Sequence, residues 1–282
     1  MKIRLHPKRT CLTEENLGMT QNETPSPFGG DTEALSRLWL EMLPPDVHVS
    51  QLLGEWLPAD QLTAIKELLQ RNHQAAEASR IKFDELRQQL NANPNDEQLD
   101  RLHDDRFWSR VFMDSAHSMS AVGMLAPFME SLFVAIFAGL RRWQVEDMGD
   151  TRRQRADDQF WRPQIYFDKD VPKTNLVKGI EQLAGSCGLQ PYLPAGYERT
   201  LAALFAYRNN MFHNGFLWPA EIISKFSKRV ASEKWPDAWF TSVDKAGEPW
   251  LYYMSPLFCD HCVKLIDEIM DGTGRYLKER GL

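Results

Sequence analysis

The sequence predicts a mainly α-helical protein with one small β-hairpin. Three observations carry that expectation. From about residue 31 onward, apolar residues recur at intervals of three, four and seven, the spacing of one helix face. Clusters of Pro, Gly and Asn cut this pattern into segments of helical length. Only residues 238–254 show an aromatic-rich strand pattern, and strands do not alternate with helices, which argues against a parallel α/β sheet.

Residues 1–30 contain TQNETPSPFGGD and no periodicity, the composition of a flexible leader. Next, Leu35, Leu38 and Leu40 form a short amphipathic stretch closed by Pro44 and Pro45. Leu62, Leu69, Ala76, Phe83 and Leu90 then recur every seven residues, with Ile65 and Leu86 at companion positions. They predict a long helix with a narrow apolar seam, interrupted by Asn72 and Ser79, that could receive a partner helix over residues 60–90. The turn formers NANPND at 91–96 predict an antiparallel helical hairpin whose second helix runs over about 97–119.

Val122 to Leu140 is nineteen residues long and largely apolar, near the length of a membrane span. Glu130 at its centre, Pro127 within it and the absence of a second such segment favour a buried core helix over a membrane. Residues 141–175 form a charged connection. Helices follow over about 174–187, 196–214 and 219–234, the first two ending near Gly. Residues 238–254 give the hairpin, and Ser255-Pro256 reads as an N-cap with Pro at the first helical position, opening a helix to about 279. The expected division is a leader (1–30), an N-terminal helical region (31–105) and a second helical domain (106–282).

Composition narrows the function. With 282 residues, 43% of them hydrophobic and 11% aromatic, the chain can bury a real core. A net charge of −6 gives no overall field drawing it to RNA or an anionic membrane, so any nucleic-acid contact must be local. Cys11, Cys187, Cys259 and Cys262 are too few and scattered for a secreted disulfide framework, and the basic N-terminus precedes no apolar run. A cytoplasmic location is expected.

Phosphate-binding GxxxxGK[ST], GxGxxG, HExxH and GxSxG motifs are absent. Cys259-Asp260-His261-Cys262 has the spacing of half a zinc site, but no second pair completes it, so the two cysteines are read as packing residues and no metal or cofactor is expected.

The informative stretch runs from Tyr207 to Gly215, Tyr-Arg-Asn-Asn-Met-Phe-His-Asn-Gly. Leu201, Leu204, Phe205 and Phe212 form an apolar stripe in which Arg208 falls. Arg is rarely buried alone, so Arg208 either pairs with a carboxylate, Glu130 or Glu198, or faces a cleft that admits an anion. Residues five apart on a helix diverge by about 140°, so Arg208 and His213 do not share a face, whereas Asn209 and His213, four apart, do.

Arg208-x4-His213, with polar Asn209 directly after the Arg, resembles the motif of the HEPN superfamily. A second match to the spacing, Arg110 to His117, has Val111 after the Arg and lies mid-helix without a terminator, so it is set aside. HEPN domains usually begin with an apolar helix carrying an acidic residue, and Pro127 to Phe133, with Glu130, is similar; the resemblance would then cover about 110–282. It implies a helical bundle of HEPN type with a small β-hairpin insertion, preceded here by an N-terminal helical hairpin. It also implies a homodimer in which two copies of the motif meet across a cleft.

The implied activity is metal-independent endoribonuclease cleavage in a toxin or antiviral role. The 2′-hydroxyl attacks the adjacent phosphate, leaving a 2′,3′-cyclic phosphate and a 5′-hydroxyl. His213 would transfer protons, Arg208 would stabilise charge on the phosphate, Asn209 would orient either group, and Glu130 and Asn214 would support them. Arg141, Arg142, Arg152, Arg153 and Arg155 are the candidate RNA contacts, with Lys225, Lys228 and Arg229 downstream. Trp239, Phe240, Trp250, Tyr252 and Tyr253 could stack on bases, although core packing is the commoner role. Gly215 stands where adenylylation-controlled HEPN toxins carry Tyr, which argues against that control. The alternative is a non-catalytic HEPN module that binds a protein.

Overall fold

The expected helical hairpin forms around Asn93–Asp96 and dominates the architecture. The computed structural model describes residues 43–54, 56–142, 160–169 and 171–281. Helix α1 (Pro45–Leu53) leads into the hairpin of α2 (Pro58–Ala92) and α3 (Glu97–Arg142). Asp96 Oδ1 accepts from the Gln98 and Leu99 amides at 3.0 and 3.1 Å and so starts α3. A first β-hairpin, β1 (Ile165–Asp168) and β2 (Val171–Thr174), precedes α4 (Leu176–Ser186), α5 (Tyr197–Asn214) and α6 (Ala220–Ser232). A second hairpin, β3 (Phe240–Lys245) and β4 (Glu248–Met254), leads to α7 (Pro256–Arg280). Both sheets have two antiparallel strands.

Several expectations need correction. The segments expected as separate helices at 97–119 and 122–140 are one helix of 46 residues, α3. Pro127 lies inside it and is tolerated. Pro45 occupies the first position of α1, where a missing amide is harmless. The β1–β2 hairpin was not expected, because its strands are four residues each with charged neighbours and Pro172. It is held from α4: the Phe167 amide donates to Gln182 Oε1 at 2.9 Å and Gln182 Nε2 donates to Phe167 O at 3.0 Å. The leader, the Leu35–Leu40 stretch and Arg152, Arg153 and Arg155 lie outside the described residues.

The remaining elements follow their signals. Ser255 caps α7, its hydroxyl accepting from the Phe258 amide at 3.1 Å. Ala246 and Gly247, at φ 55° and 82°, form the two-residue turn joining β3 to β4, since a turn matching strand twist needs positive φ at both positions. Residues of α1, α2, α3, α5 and α7, among them Leu52, Leu62, Phe133, Leu204 and Ile266, share one hydrophobic core. The division expected at residue 105 falls inside α3. Glycines permit close packing against α1: a Cβ on Gly139 of α3 would lie 2.6 Å from Leu52 Cγ of α1, and one on Gly274 of α7 would meet the Pro45 carbonyl. Of the α2 seam, Leu62, Phe83 and Leu86 are buried within the chain. By length and composition α3 could cross a membrane, and 56% of its most apolar window is buried inside the protein.

Candidate functional site

The C-terminal half of α5 presents the Arg208 to His213 motif, and its orientation is set by buried neighbours. Tyr207 and Met211 are buried, and the Tyr207 hydroxyl donates to Tyr252 O at 3.1 Å, anchoring α5 to β4. That anchoring turns the next residue, Arg208, toward α3.

Arg208 finds a carboxylate there. Its Nη1 donates to Glu130 Oε2 at 3.2 Å, and both side chains are 30% exposed. Of the two acids anticipated, Glu130 is therefore the partner; Glu198 instead accepts from Gln190 Nε2 at 3.2 Å. Arg208 Nε donates to Asn209 Oδ1 at 3.2 Å, and the guanidinium lies 5.2 Å from the Phe205 ring centroid. Asn209 thus braces Arg208 rather than reaching His213. A guanidinium carries five N–H donors, and these bonds use two.

His213 lies on the exposed surface and has no hydrogen-bond partner among the described residues. The next residue closes the helix: Asn214 Nδ2 donates to Asn210 O at 2.9 Å, and the Gly215 amide donates to Met211 O at 2.9 Å. Phe212, expected in the buried stripe, is 58% exposed. One of its ring atoms lies 3.3 Å from where a Gly123 Cβ would stand, so the ring lies over Gly123 without being enclosed. Leu217 beyond the helix is exposed as well. Beside the ion pair, a hollow of about 370 Å³ is lined by Trp56, Glu130, Ser131, Val134 and Ala135.

The other candidates are spread through the fold. Arg142 Nη2 donates to Leu52 O at 2.7 Å, closing α1 onto the end of α3, and Arg141 is its neighbour. Arg229 pairs with Glu233 at 2.5 Å and lies over Trp235. Trp239 and Phe240 are core residues, and the Tyr252 hydroxyl is 2.8 Å from Ser227 Oγ. In the Cys259–Cys262 stretch, burial pushes the Cys259 thiol up to about 12 and Cys262 well above its usual value. His261 Nε2 lies 2.9 Å from Thr200 Oγ1. Among the described residues, no group of three His, Cys, Asp or Glu side chains is placed to hold a metal.

The Arg110 to His117 match set aside in the sequence belongs to a cluster that includes Asp114, which the sequence reading did not single out. Arg110, Asp114 and His117 stand at positions i, i+4 and i+7 of α3, which places them on a single helix face, and all three line a cavity of about 560 Å³. That spacing was visible in the sequence.

Comparison with known proteins gives no match to the chain, whether with family models, curated proteins or solved structures.

Proposed function

We propose that the chain is a metal-independent endoribonuclease of HEPN type, acting as a homodimer in a toxin or antiviral role. The observation that supports it is the state of the two motif residues at the end of α5. Arg208 is braced by Glu130 and Asn209 yet retains unused donors, while His213 stands in solvent without a partner among the described residues.

The proposed chemistry uses both. A ribose 2′-hydroxyl loses its proton to water as its oxygen bonds to the neighbouring phosphorus, the P–O5′ bond breaks, and a proton from the His213 imidazolium passes to the departing 5′ oxygen. The remaining N–H groups of Arg208 meet the phosphoryl oxygens as charge develops. Because Arg208 and His213 diverge by about 140° on one helix, a second copy supplies the complementary group. The exposed Phe212 and Leu217 give that copy apolar surface beside the motif.

Labelled RNA incubated with the protein in EDTA provides the test. Wild type is expected to leave 2′,3′-cyclic phosphate ends, and His213→Ala and Arg208→Ala to leave the RNA intact. Intact RNA with wild type, or equal cleavage by His213→Ala, would refute the nuclease. The Arg208–Glu130 pair itself favours a second reading, a non-catalytic module in which Arg208 only ties α5 to α3. Its protein partner would meet α2 over residues 60–90, where Ile81 is exposed.

A further inference from the structure

The cavity of about 560 Å³ lies between α2, α3, the β3–β4 hairpin and the start of α7, and shares no lining residue with the Arg208 site. Its size is that of a small-molecule pocket. Leu69, Ala76, Ala121, Met254 and Val263 give it apolar walls against which an aromatic ring can pack.

Polar groups converge on one wall without satisfying one another. The Asp114 carboxylate is 3.8 Å from Arg110 Nε, too far for a hydrogen bond, although its side chain is only 20% exposed. Neither it nor the Tyr253 hydroxyl has a hydrogen-bond partner among the described residues. His117 Nδ1, on the same helix face, is buried and also unpartnered. A buried ring nitrogen left in this state, as His117 Nδ1 is, is unusual and calls for a partner. Burial also shifts the Asp114 carboxyl upward, against the pull of Arg110 and His117.

Charge selects among ligands. The lining holds Lys66, Arg80 and Arg110 against Glu77, Asp114 and Asp260, and Arg80 is already paired with Glu77 at 2.6 Å and Lys66 with Asp267 at 2.8 Å. This balance suits an uncharged ligand better than a phosphate. The Asp114–Arg110 couple offers an acceptor beside a donor, which matches a planar ring whose edge has adjacent N–H donors and a carbonyl acceptor. Guanine has that edge: N1–H and the 2-amino group face a carboxylate, and O6 and N7 accept from a guanidinium. Adenine would bring its N1 lone pair against the carboxylate.

We propose that this cavity binds an uncharged heteroaromatic ligand of nucleobase type, with guanine the best-matched base, held by Asp114 and Arg110 and flanked by Tyr253. The inference does not depend on nuclease activity.

Calorimetric titration of the full chain with guanosine, inosine and adenosine tests it. Guanosine is expected to bind, inosine at least about tenfold more weakly for want of the 2-amino group, and adenosine not measurably. Asp114→Asn should weaken guanosine binding at least about tenfold. Ala76→Trp, which fills the cavity from α2, should abolish binding even if the Asp114 variant does not fold. A five-nucleotide oligouridylate with one central guanosine, titrated in parallel, tells whether the base comes from RNA or from a free nucleoside; tighter binding of either supports the base pocket. The proposal fails if no guanine-bearing probe binds, if adenosine binds as well as guanosine, or if guanosine binds both variants with wild-type affinity.

Discussion

Arg208 Nη1 donates to Glu130 Oε2 across 3.2 Å, tying the C-terminal half of α5 to the middle of α3. The partial exposure of both side chains limits the strength of the pair, because water screens it, and such pairs contribute about 1 kcal/mol or less. Its larger consequence is positional: the guanidinium is fixed with part of its donor set turned away from Glu130.

Glu130→Gln is therefore expected to change stability by about 1 kcal/mol or less, read from the urea midpoint. Its amide oxygen still accepts from Arg208, so RNA cleavage should fall by less than about tenfold, whereas Arg208→Ala should lose more than about a hundredfold. Equal losses from the two variants would mean that Glu130 acts directly on the substrate.

His213 separates chemistry from folding. Its side chain lies on the surface, so His213→Ala should leave stability within about 0.5 kcal/mol of wild type while removing cleavage. Mixing His213→Ala with Arg208→Ala gives hybrid dimers in which one Arg208 and one His213 still meet. Restored cleavage in the mixture is expected; two inactive proteins that stay inactive together would count against a site shared between copies.

Gly274 tests the docking of α1. A Cβ there would collide with the Pro45 carbonyl, backbone that cannot swing aside, so Gly274→Ala should destabilise the protein by about 1–3 kcal/mol in urea unfolding. Gly185, where an added Cβ meets nothing within 4 Å, supplies the control: Gly185→Ala should cost nothing measurable.

Periodicity and punctuation made most of the helices legible. Asn93–Asp96, Gly215 and Ser255-Pro256 stop or start helices by local backbone chemistry, and the structure turns or caps at each of them. Pro127 misled because a proline's local penalty says nothing about tertiary packing, and its neighbours Leu125, Ala126, Phe128 and Met129 are all buried in the core. The β1–β2 hairpin was hidden because its stability comes from Gln182 on α4, a contact that neighbouring sequence does not encode. The same distinction holds at the candidate site. The apolar stripe indicated that Arg208 needed a carboxylate or a cleft, but choosing Glu130 over Glu198 required the packing of α5 on α3, and the exposure of Phe212 followed from that packing too.

Asp114 gives a pH-dependent expectation. Burial raises its carboxyl above the usual value of 3.8, with Arg110 and His117 opposing the shift only in part. A carboxyl that holds its proton more tightly in the folded than in the unfolded chain makes the folded state lose stability as pH rises from that value through the raised one. Above the raised value the native protein therefore carries the full penalty of a desolvated carboxylate, and below pH 3.8 it carries none. Asp114→Asn, which cannot ionise, should melt at a higher temperature than wild type at pH 7. The gap should narrow steadily as the pH is lowered toward 4, as followed by circular dichroism. A variant less stable than wild type at pH 7 would show instead that Arg110 stabilises the charge fully, and a gap that does not change with pH would trace the difference to packing rather than ionisation.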